Sequence, residues 1–285
     1  MIVSASYRTD IPAYYGDWFL RRLEAGYADV RNPYGGGVSR VTLDPASVDG
    51  FVFWTRNQAP FRAGFAAVQE MGRPFSVQMT VTGYPRALEP GVIAVDAAVA
   101  AMRWLAADYG REAPVWRYDP VLLSEATPPD WHRENVARLA ARLAPYTTEC
   151  VLSFAHIYRK SQRNLDRTGL AWRDPPEDEK RRLLADLAAI IRSTGMQASL
   201  CAQPDLLSPE LEAARCIDAG RLSRIAGAPI EAATKGARPG CLCAAARDIG
   251  RYDSCPQGCA YCYANASRQA ARRGLARHEP TAERL

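Results

Sequence analysis

Short apolar segments alternate with longer amphipathic segments six times along this chain of 285 residues, and this alternation constrains the fold more than any other feature. The apolar segments are rich in the β-branched and aromatic residues that favour strands; they are 2–6, 51–54, 75–81, 114–118, 150–154 and 197–201. The other segments carry the Ala, Leu, Arg and Glu typical of helices; they are 14–26, 60–71, 94–109, 131–144, 177–194 and 208–214. This repetition predicts a parallel sheet with helical crossovers.

Six such units without a glycine-rich dinucleotide fingerprint favour a closed or partly open barrel over a doubly wound sheet. We therefore predict an α/β fold in which residues 1–215 form a partial (β/α)6-type TIM-like barrel. Residues 216–285 are rich in cysteine, with a loop-rich stretch at 231–258 and a helical pattern at 264–274. We expect this segment, with its cysteine-rich loop and helix, to close the barrel, so that the whole chain is one structural unit.

Polar side chains follow every predicted strand. Because the carboxyl ends of the strands form the active-site face of a parallel barrel, these residues are candidates for binding a cofactor or substrate; they include Arg8, Asp10, Arg56, Arg117 and Asp119. An Arg can hold a carboxylate or phosphate through a bidentate pair of hydrogen bonds, and an Asp can bind ribose hydroxyls. The alternative is that Arg8 pairs with Asp10, and Arg117 with Asp119, in structural ion pairs at the barrel mouth.

Three further side chains at the strand ends are candidates for catalysis, namely Tyr118, His156 and Lys160. Tyr118 could stack on adenine or supply a hydrogen atom, and Tyr261 in the cysteine-rich segment is a candidate for binding the cofactor. For each tyrosine, simple packing is the alternative. His156 could act as an acid or a base, with a satisfied core histidine as the alternative.

The chain contains eight cysteines, and seven of them lie in the last 85 residues. The N-terminus lacks the basic start and apolar stretch of a signal peptide, and no apolar run reaches the roughly 18 residues of a membrane span. We therefore expect a cytoplasmic protein with no membrane partner. Cytosolic proteins seldom use disulfides, so clustered cysteines there indicate metal or redox chemistry.

The segment 255–262 reads CPQGCAYC, which places Cys255, Cys259 and Cys262 in a C-x3-C-x2-C spacing with an aromatic residue before the last. Three thiolates on a short loop can hold three irons of a [4Fe–4S] cluster and leave the fourth iron without a protein ligand. That open iron can chelate S-adenosylmethionine, and an electron passed to the sulfonium yields a 5′-deoxyadenosyl radical. A zinc site is the alternative, although zinc sites usually pair two C-x2-C motifs or add His.

Four more cysteines precede this triad, namely Cys201, Cys216, Cys241 and Cys243. They could hold a second [4Fe–4S] cluster or a zinc ion, and some of them could instead be small buried hydrophobes. A second cluster could relay electrons to or from a substrate radical, or donate a sulfur atom. Cys150 lies inside an apolar strand, which indicates core packing.

The triad resembles that of the radical S-adenosylmethionine superfamily, which usually carries it near the N-terminus, after the first barrel strand. Nearly the whole chain resembles a largely uncharacterised bacterial family with the triad at the C-terminus; the matching stretches are 4–12, 30–33, 52–57, 116–120 and 248–252. The resemblance implies a barrel in which a permutation-like rearrangement has moved the cluster loop. It also implies reductive cleavage of S-adenosylmethionine, with an electron donor such as flavodoxin or ferredoxin, and it does not supply a substrate.

We expect the radical to abstract hydrogen from a small molecule, and the formal net charge of +5 suits an anionic one. Sulfur insertion or oxidation could follow. Two other functions remain open: a zinc-stabilised nucleic-acid-binding protein, and a DNA-repair lyase that uses the same radical chemistry. The basic residues form no concentrated stripe, so nucleic acid ranks below a small molecule as the partner.

Overall fold

Parallel strands form the centre of the computed structural model, which describes residues 1–33, 35–236 and 238–285. The strands of the described chain are β1 (Ile2–Ala5), β2 (Tyr27–Arg31), β3 (Val38–Thr42), β4 (Gly50–Thr55), β5 (Phe75–Thr80), β6 (Pro114–Val121), β7 (Leu123–Ser124), β8 (Glu149–Phe154), β9 (Trp172–Arg173), β10 (Gln197–Leu200), β11 (Glu212–Ala213) and β12 (Ala246–Asp248). Eight of these pair in parallel in the order β11-β10-β8-β6-β5-β4-β1-β12. The predicted α/β fold with a parallel sheet is therefore confirmed.

The six predicted strands correspond to β1, β4, β5, β6, β8 and β10, and all six lie in this sheet. Two short strands that we did not predict add to its edges. β11 pairs with β10, and β12 pairs with β1 through the partners Ile2 and Ala246. Within the described residues β11 and β12 do not pair with each other, so hydrogen bonds do not close the sheet into a ring. The remaining strands form two small antiparallel pairs, β2–β3 and β7–β9.

Helices connect the strands of the sheet. They are α1 (Ile11–Tyr14), α2 (Gly16–Ala25), α3 (Arg62–Glu70), α4 (Val95–Tyr109), α5 (Pro129–Leu143), α6 (Arg159–Asp166), α7 (Glu177–Ser193), α8 (Ala219–Ala226) and α9 (Arg268–Ala276). The helices predicted around α2, α3, α4, α5, α7 and α9 are confirmed within a few residues. The helix predicted at 208–214 is wrong, because Glu212 and Ala213 instead pair with Ser199 and Leu200 and extend the sheet. Pairing with the neighbouring strand β10 has overridden the weak preference of this segment for a helix.

The two faces of the sheet have different roles. Successive residues of a strand point to opposite faces, so Trp116 and Tyr118 of β6 point one way and Val115 and Arg117 the other. Trp116 and Tyr118 pack among buried side chains of α4, α5 and α7. On the opposite face Val115 packs in a separate cluster that includes Cys216. One face is therefore the main core, and the other faces the candidate site.

None of the described helices is long and apolar enough to cross a membrane.

Candidate metal and cofactor site

A cleft of about 1690 Å³ lies at the carboxyl ends of the parallel strands. Residues that follow β1, β8 and β10 line it, as do the last residues of β4, β5 and β6. The seven clustered cysteines all line the same cleft; they are Cys201, Cys216, Cys241, Cys243, Cys255, Cys259 and Cys262. The fold thus brings together side chains that the sequence places as far apart as Arg8 and Cys262. This is the arrangement expected for an active-site face.

The triad of Cys255, Cys259 and Cys262 lies on the loop between β12 and α9, and all three side chains are half-buried. Backbone amides donate hydrogen bonds to the sulfurs of Cys255 and Cys262. Burial raises the pKa of the Cys259 thiol to about 12, against a lowering effect of Arg56. A bound metal would be needed to ionise such thiols near neutral pH, and a coordinating metal does deprotonate its thiol ligands.

Gly258 allows the tight turn inside the triad loop. Its φ of +80° lies in the left-handed region that favours glycine, and a Cβ at this position would overlap the side chain of Arg268. Arg268 Nε in turn donates to the carbonyl oxygen of Pro256, 3.1 Å away. The turn and the first residue of α9 are therefore packed directly against each other.

Side chains from the segment after β1 hold the triad loop in place. Tyr15 Oη donates to the carbonyl oxygen of Ser254 at 2.8 Å, and Thr9 Oγ1 donates to that of Arg251 at 2.7 Å. The predicted binding residue Asp10 accepts from Gln257 Nε2 at 3.3 Å and from the backbone amide of Arg56 at 2.9 Å. Burial raises the pKa of Asp10. Its observed contacts fix the loop relative to β4.

Asp248 is a site residue that sequence reasoning missed. Its carboxylate accepts from Ser4 Oγ at 2.9 Å, from Ser6 Oγ at 2.8 Å and from Arg8 Nε at 2.9 Å. The alternative in which Arg8 pairs with Asp10 is therefore wrong, because Arg8 pairs with Asp248 across the β1–β12 edge. The one signal for Asp248 in the sequence was its place in the stretch 248–252, which resembles the family.

Arg56 and Tyr261 meet around a buried carboxylate. Glu89, which we did not predict, accepts from Arg56 Nη1 at 2.9 Å and from the hydroxyls of Thr82 and Tyr261. Tyr261 Oη also contacts Arg56 Nη2. Burial opposes the positive charge of Arg56, but Cys259 and Glu89 hold its pKa well above the ordinary value. This buried network lies directly beside the triad.

Arg117 and Asp119 form an ion pair on the wall of the cleft, which was the alternative to their predicted role in binding a cofactor. Arg117 Nη1 also lies 3.1 Å from Gln78 Oε1, and Asp119 accepts from the hydroxyl of Ser153. Burial alone would raise the pKa of Asp119, and the charge of Arg117 lowers it below its usual value. The pair therefore stays charged, and Asp119 keeps one side toward the cleft.

Tyr118 does not reach the cleft, so the structure does not support its predicted catalytic role. The side chain is fully buried on the helix face of β6, where Tyr118 Oη donates to His132 Nδ1 at 2.7 Å. Asn135 Nδ2 donates to the same hydroxyl at 3.1 Å. Strand alternation explains the placement, because the neighbours Arg117 and Asp119 take the opposite face. Cys150 lies in the same helix-side core, which confirms its predicted packing role.

His156 and Lys160 do line the cleft. His156 Nε2 lies 3.3 Å from Gln203 Nε2, and burial together with nearby Arg238 lowers its pKa. Lys160 Nζ lies 3.8 Å from Asp253 and faces the ring of Tyr252. Both side chains can therefore meet a bound molecule.

The other four cysteines form a chain of contacts on the wall of the cleft. Cys216 Sγ lies 3.4 Å from Cys201 Sγ and also contacts the Cys243 thiol, which in turn contacts that of Cys241. Arg117 Nη1 lies 2.9 Å from Cys216 Sγ. As they stand, no three or more His, Cys, Asp or Glu side chains among the described residues are arranged to hold a metal ion.

Comparison with known proteins identifies a family and little else. The profile of a family described as "Domain of unknown function (DUF1848)" matches residues 2–264. No curated protein matches the chain. One solved structure that resembles it is described as a putative alpha-L-fucosidase from Bacteroides thetaiotaomicron VPI-5482; it is 10% identical, with 82% of this chain and 84% of that chain covered and a TM-score of 0.30. That score is too low to support any argument about fold or function.

Proposed function

The chain belongs to the DUF1848 family, and we propose that it is a radical S-adenosylmethionine enzyme. The observation that carries the proposal is the position of Cys255, Cys259 and Cys262, which share one loop on the wall of a cleft of about 1690 Å³. Small-molecule sites usually measure about 300–1,000 Å³, so this cleft has room for both a cofactor and a substrate.

The residues around the triad are of the kinds that hold a [4Fe–4S] cluster. As they stand, no three or more described His, Cys, Asp or Glu side chains surround a common centre, so the triad thiols would have to turn inward to bind it. Three half-buried thiols and no fourth cysteine lie on the described triad loop, and backbone amides point at two of the sulfurs. Hydrogen bonds to the sulfurs are one of the means by which proteins tune such clusters. When bound, the cluster would bind S-adenosylmethionine at its open iron and supply the electron that releases a 5′-deoxyadenosyl radical.

The protein's own residues would position and shield that chemistry. Asp10 and Tyr15 hold the triad loop against the segment after β1, while Arg56 places a positive charge beside Cys259. Arg8 and Asp119 lie on the cleft wall, where they can bind polar groups of a cofactor. His156 and Lys160 lie on the same wall and can exchange protons with a bound molecule.

We further propose that the eight-stranded sheet curves into a partial TIM-like barrel, with residues 216–285 closing it. Two features support this. The sheet runs in chain order from β4 to β10, as in a (β/α) barrel, while β12 returns to lie beside β1. The triad loop follows β12 and so begins at the carboxyl end of the sheet, where parallel barrels carry their active sites.

The charge of the cleft points to an anionic small molecule as the substrate. Eleven Lys and Arg side chains but only four Asp side chains occur among its described lining residues, an excess of seven positive charges. The whole chain carries only +5, so the excess is concentrated in the cleft. Three thiolates and a cluster core of about +2 would remove about one charge. A carboxylate or phosphate would be drawn to what remains.

The test is anaerobic reconstitution with iron and sulfide, reduction with dithionite, and assay of 5′-deoxyadenosine formed from S-adenosylmethionine. We expect the product from the wild type and from Cys150→Ala, whose side chain lies in the core, and none from Cys259→Ala. A reconstituted wild type that holds about four irons per triad but cleaves no S-adenosylmethionine would contradict the proposal. If the wild type does cleave S-adenosylmethionine, the same assay with flavodoxin or ferredoxin in place of dithionite tests which of them can donate the electron.

A further inference from the structure

We propose that Cys201, Cys216, Cys241 and Cys243 form a second centre for a thiophilic metal, separate from the triad. The metal would be either one zinc ion or a second iron–sulfur cluster, since both bind through thiolates. The inference deepens the proposed function, because a second centre in the same cleft would act beside the first. It does not depend on that function, because its metal can be measured without any turnover.

The four cysteines come from three separate parts of the chain. Cys201 follows β10, Cys216 lies between β11 and α8, and Cys241 and Cys243 lie on the loop before β12. All four line one cleft, and three of them belong to one cluster of buried side chains. Because these cysteines come from parts of the chain that are distant in sequence, it is the fold that brings them together, as expected for a binding site.

The sulfur atoms are close to the spacing that a single ion needs. Cys216 Sγ lies 3.4 Å from Cys201 Sγ and contacts Cys243, which contacts Cys241. Four sulfurs at about 2.3 Å from a tetrahedral zinc ion are about 3.8 Å apart. Since no group of described side chains already surrounds a common centre, binding one ion requires the thiols to turn inward. A [4Fe–4S] cluster requires them to move further apart.

The groups that face these sulfurs suit thiolates better than apolar packing. Arg117 Nη1 lies 2.9 Å from Cys216 Sγ, Arg238 Nη2 lies 3.4 Å from Cys201 Sγ, and the amide of Ile217 donates to Cys243 Sγ at 3.3 Å. A buried hydrophobe needs none of these donors. Four thiolates around a divalent ion carry a net charge of about −2. The guanidinium groups of Arg117 and Arg238 offset part of it, since Arg117 is also paired with Asp119.

The triad and the four cysteines can be separated by mutation. In the variant Cys255→Ser/Cys259→Ser/Cys262→Ser the triad is gone and the second centre is untouched. In Cys241→Ser/Cys243→Ser the second centre has lost half its ligands and the triad is intact. Cys150→Ser is the matched control, because it removes a buried thiol that belongs to neither group. Iron, zinc and sulfide are counted per chain after anaerobic reconstitution, with circular dichroism to check folding.

We expect the triad variant to keep either about one zinc or about four irons with sulfide per chain, and the double variant to lose that metal. Zinc in the triad variant identifies a single ion, and iron with sulfide identifies a cluster. A folded triad variant with less than about a tenth of a metal per chain would overturn the inference, as would a double variant that keeps the wild-type metal content. Because the triad variant leaves these four cysteines unchanged, the test holds even if the double variant does not fold.

Failure of this inference differs visibly from failure of the proposed function. If only the second centre is wrong, the double variant still forms 5′-deoxyadenosine at the wild-type rate and the triad variant is free of metal. If only the proposed function is wrong, the triad variant keeps its metal while the wild type cleaves no S-adenosylmethionine.

Discussion

Arg8 Nε lies 2.9 Å from Asp248 Oδ1, although 240 residues separate the two in the chain. Both side chains are buried, and the pair spans the junction between β1 and β12. The triad loop begins directly after β12, so this junction determines where its cysteines lie relative to the rest of the sheet. The Arg8–Asp248 pair therefore stabilises the fold and also fixes the position of the triad loop.

Replacing Asp248 with Asn should destabilise the protein strongly. Arg8 would lose its charged partner, and breaking a buried ion pair costs about 3–5 kcal/mol of unfolding free energy. Asp49→Asn is the control, since Asp49 is about half exposed in its pair with the N-terminal amine and should cost less than about 1 kcal/mol. Urea unfolding of the metal-free, reduced proteins measures both. Equal losses in the two variants would show that the buried pair has no special role.

Gly258→Ala should lower the iron content of the reconstituted protein. The substitution places a Cβ against Arg268 and costs about 1–2 kcal/mol for the left-handed backbone. Gly195→Ala is matched to it, because Gly195 has a similar φ of +84° with open space around the added Cβ. We expect Gly195→Ala to reduce stability but to bind iron like the wild type. Normal iron binding by Gly258→Ala would mean that the turn tolerates the clash.

Tyr261→Phe should reduce stability without removing the cluster. The hydroxyl of Tyr261 bonds to Glu89 and Arg56 in a buried network, so its loss should cost about 1–2 kcal/mol. Tyr263→Phe removes a hydroxyl that donates to the carbonyl oxygen of Tyr7 from a more exposed ring, and should cost less. Urea unfolding and iron counts measure the two effects. A Tyr261→Phe variant of normal stability that no longer cleaves S-adenosylmethionine would instead place the hydroxyl on the cofactor.

Unfolding free energy should fall as the pH drops from about 6.5 to 4. Burial lowers the pKa of His132 from 6.5 to about 4, so in this range the unfolded chain binds a proton that the native protein excludes. The stabilising effect is complete above pH 6.5, and up to about 3 kcal/mol is lost by pH 4. His132→Gln should flatten the slope between pH 6 and pH 5 in urea unfolding. An unchanged slope in that variant would assign the pH dependence to other groups.

The six predicted strands could be recognised because each is an apolar run buried within the central sheet; β2 and β3, which are only partly buried and pair only with each other, were not predicted. Phe51 and Phe53, for example, lie in the core, as their pattern indicated. β11 and β12 could not be predicted in this way, because they are two and three residues long and contain Glu212, Arg247 and Asp248. What makes them strands is the neighbour they pair with, and a single sequence does not show which neighbour that is.

Those parts of the site could be predicted whose residues lie close together in the sequence with a characteristic spacing. The triad could be read from C-x3-C-x2-C, and the structure places it on the cleft together with the other four clustered cysteines. Asp248 and Glu89 were missed because their partners are far away in sequence. We assigned Tyr118 to the cleft face of the sheet, whereas it lies on the helix face. The alternation of side chains along β6 already places it on the face opposite to Arg117 and Asp119.

The position of β12 beside β1 has a consequence for how the protein is made. During synthesis at about 5–20 residues per second, β1 leaves the ribosome roughly 10–50 s before the strand that covers its free edge. Until then the nascent chain exposes unpaired backbone groups, which are a recognised starting point for aggregation. The triad cysteines emerge later still. A cluster bound by the triad can therefore be delivered only after the ribosome has made the rest of the sheet.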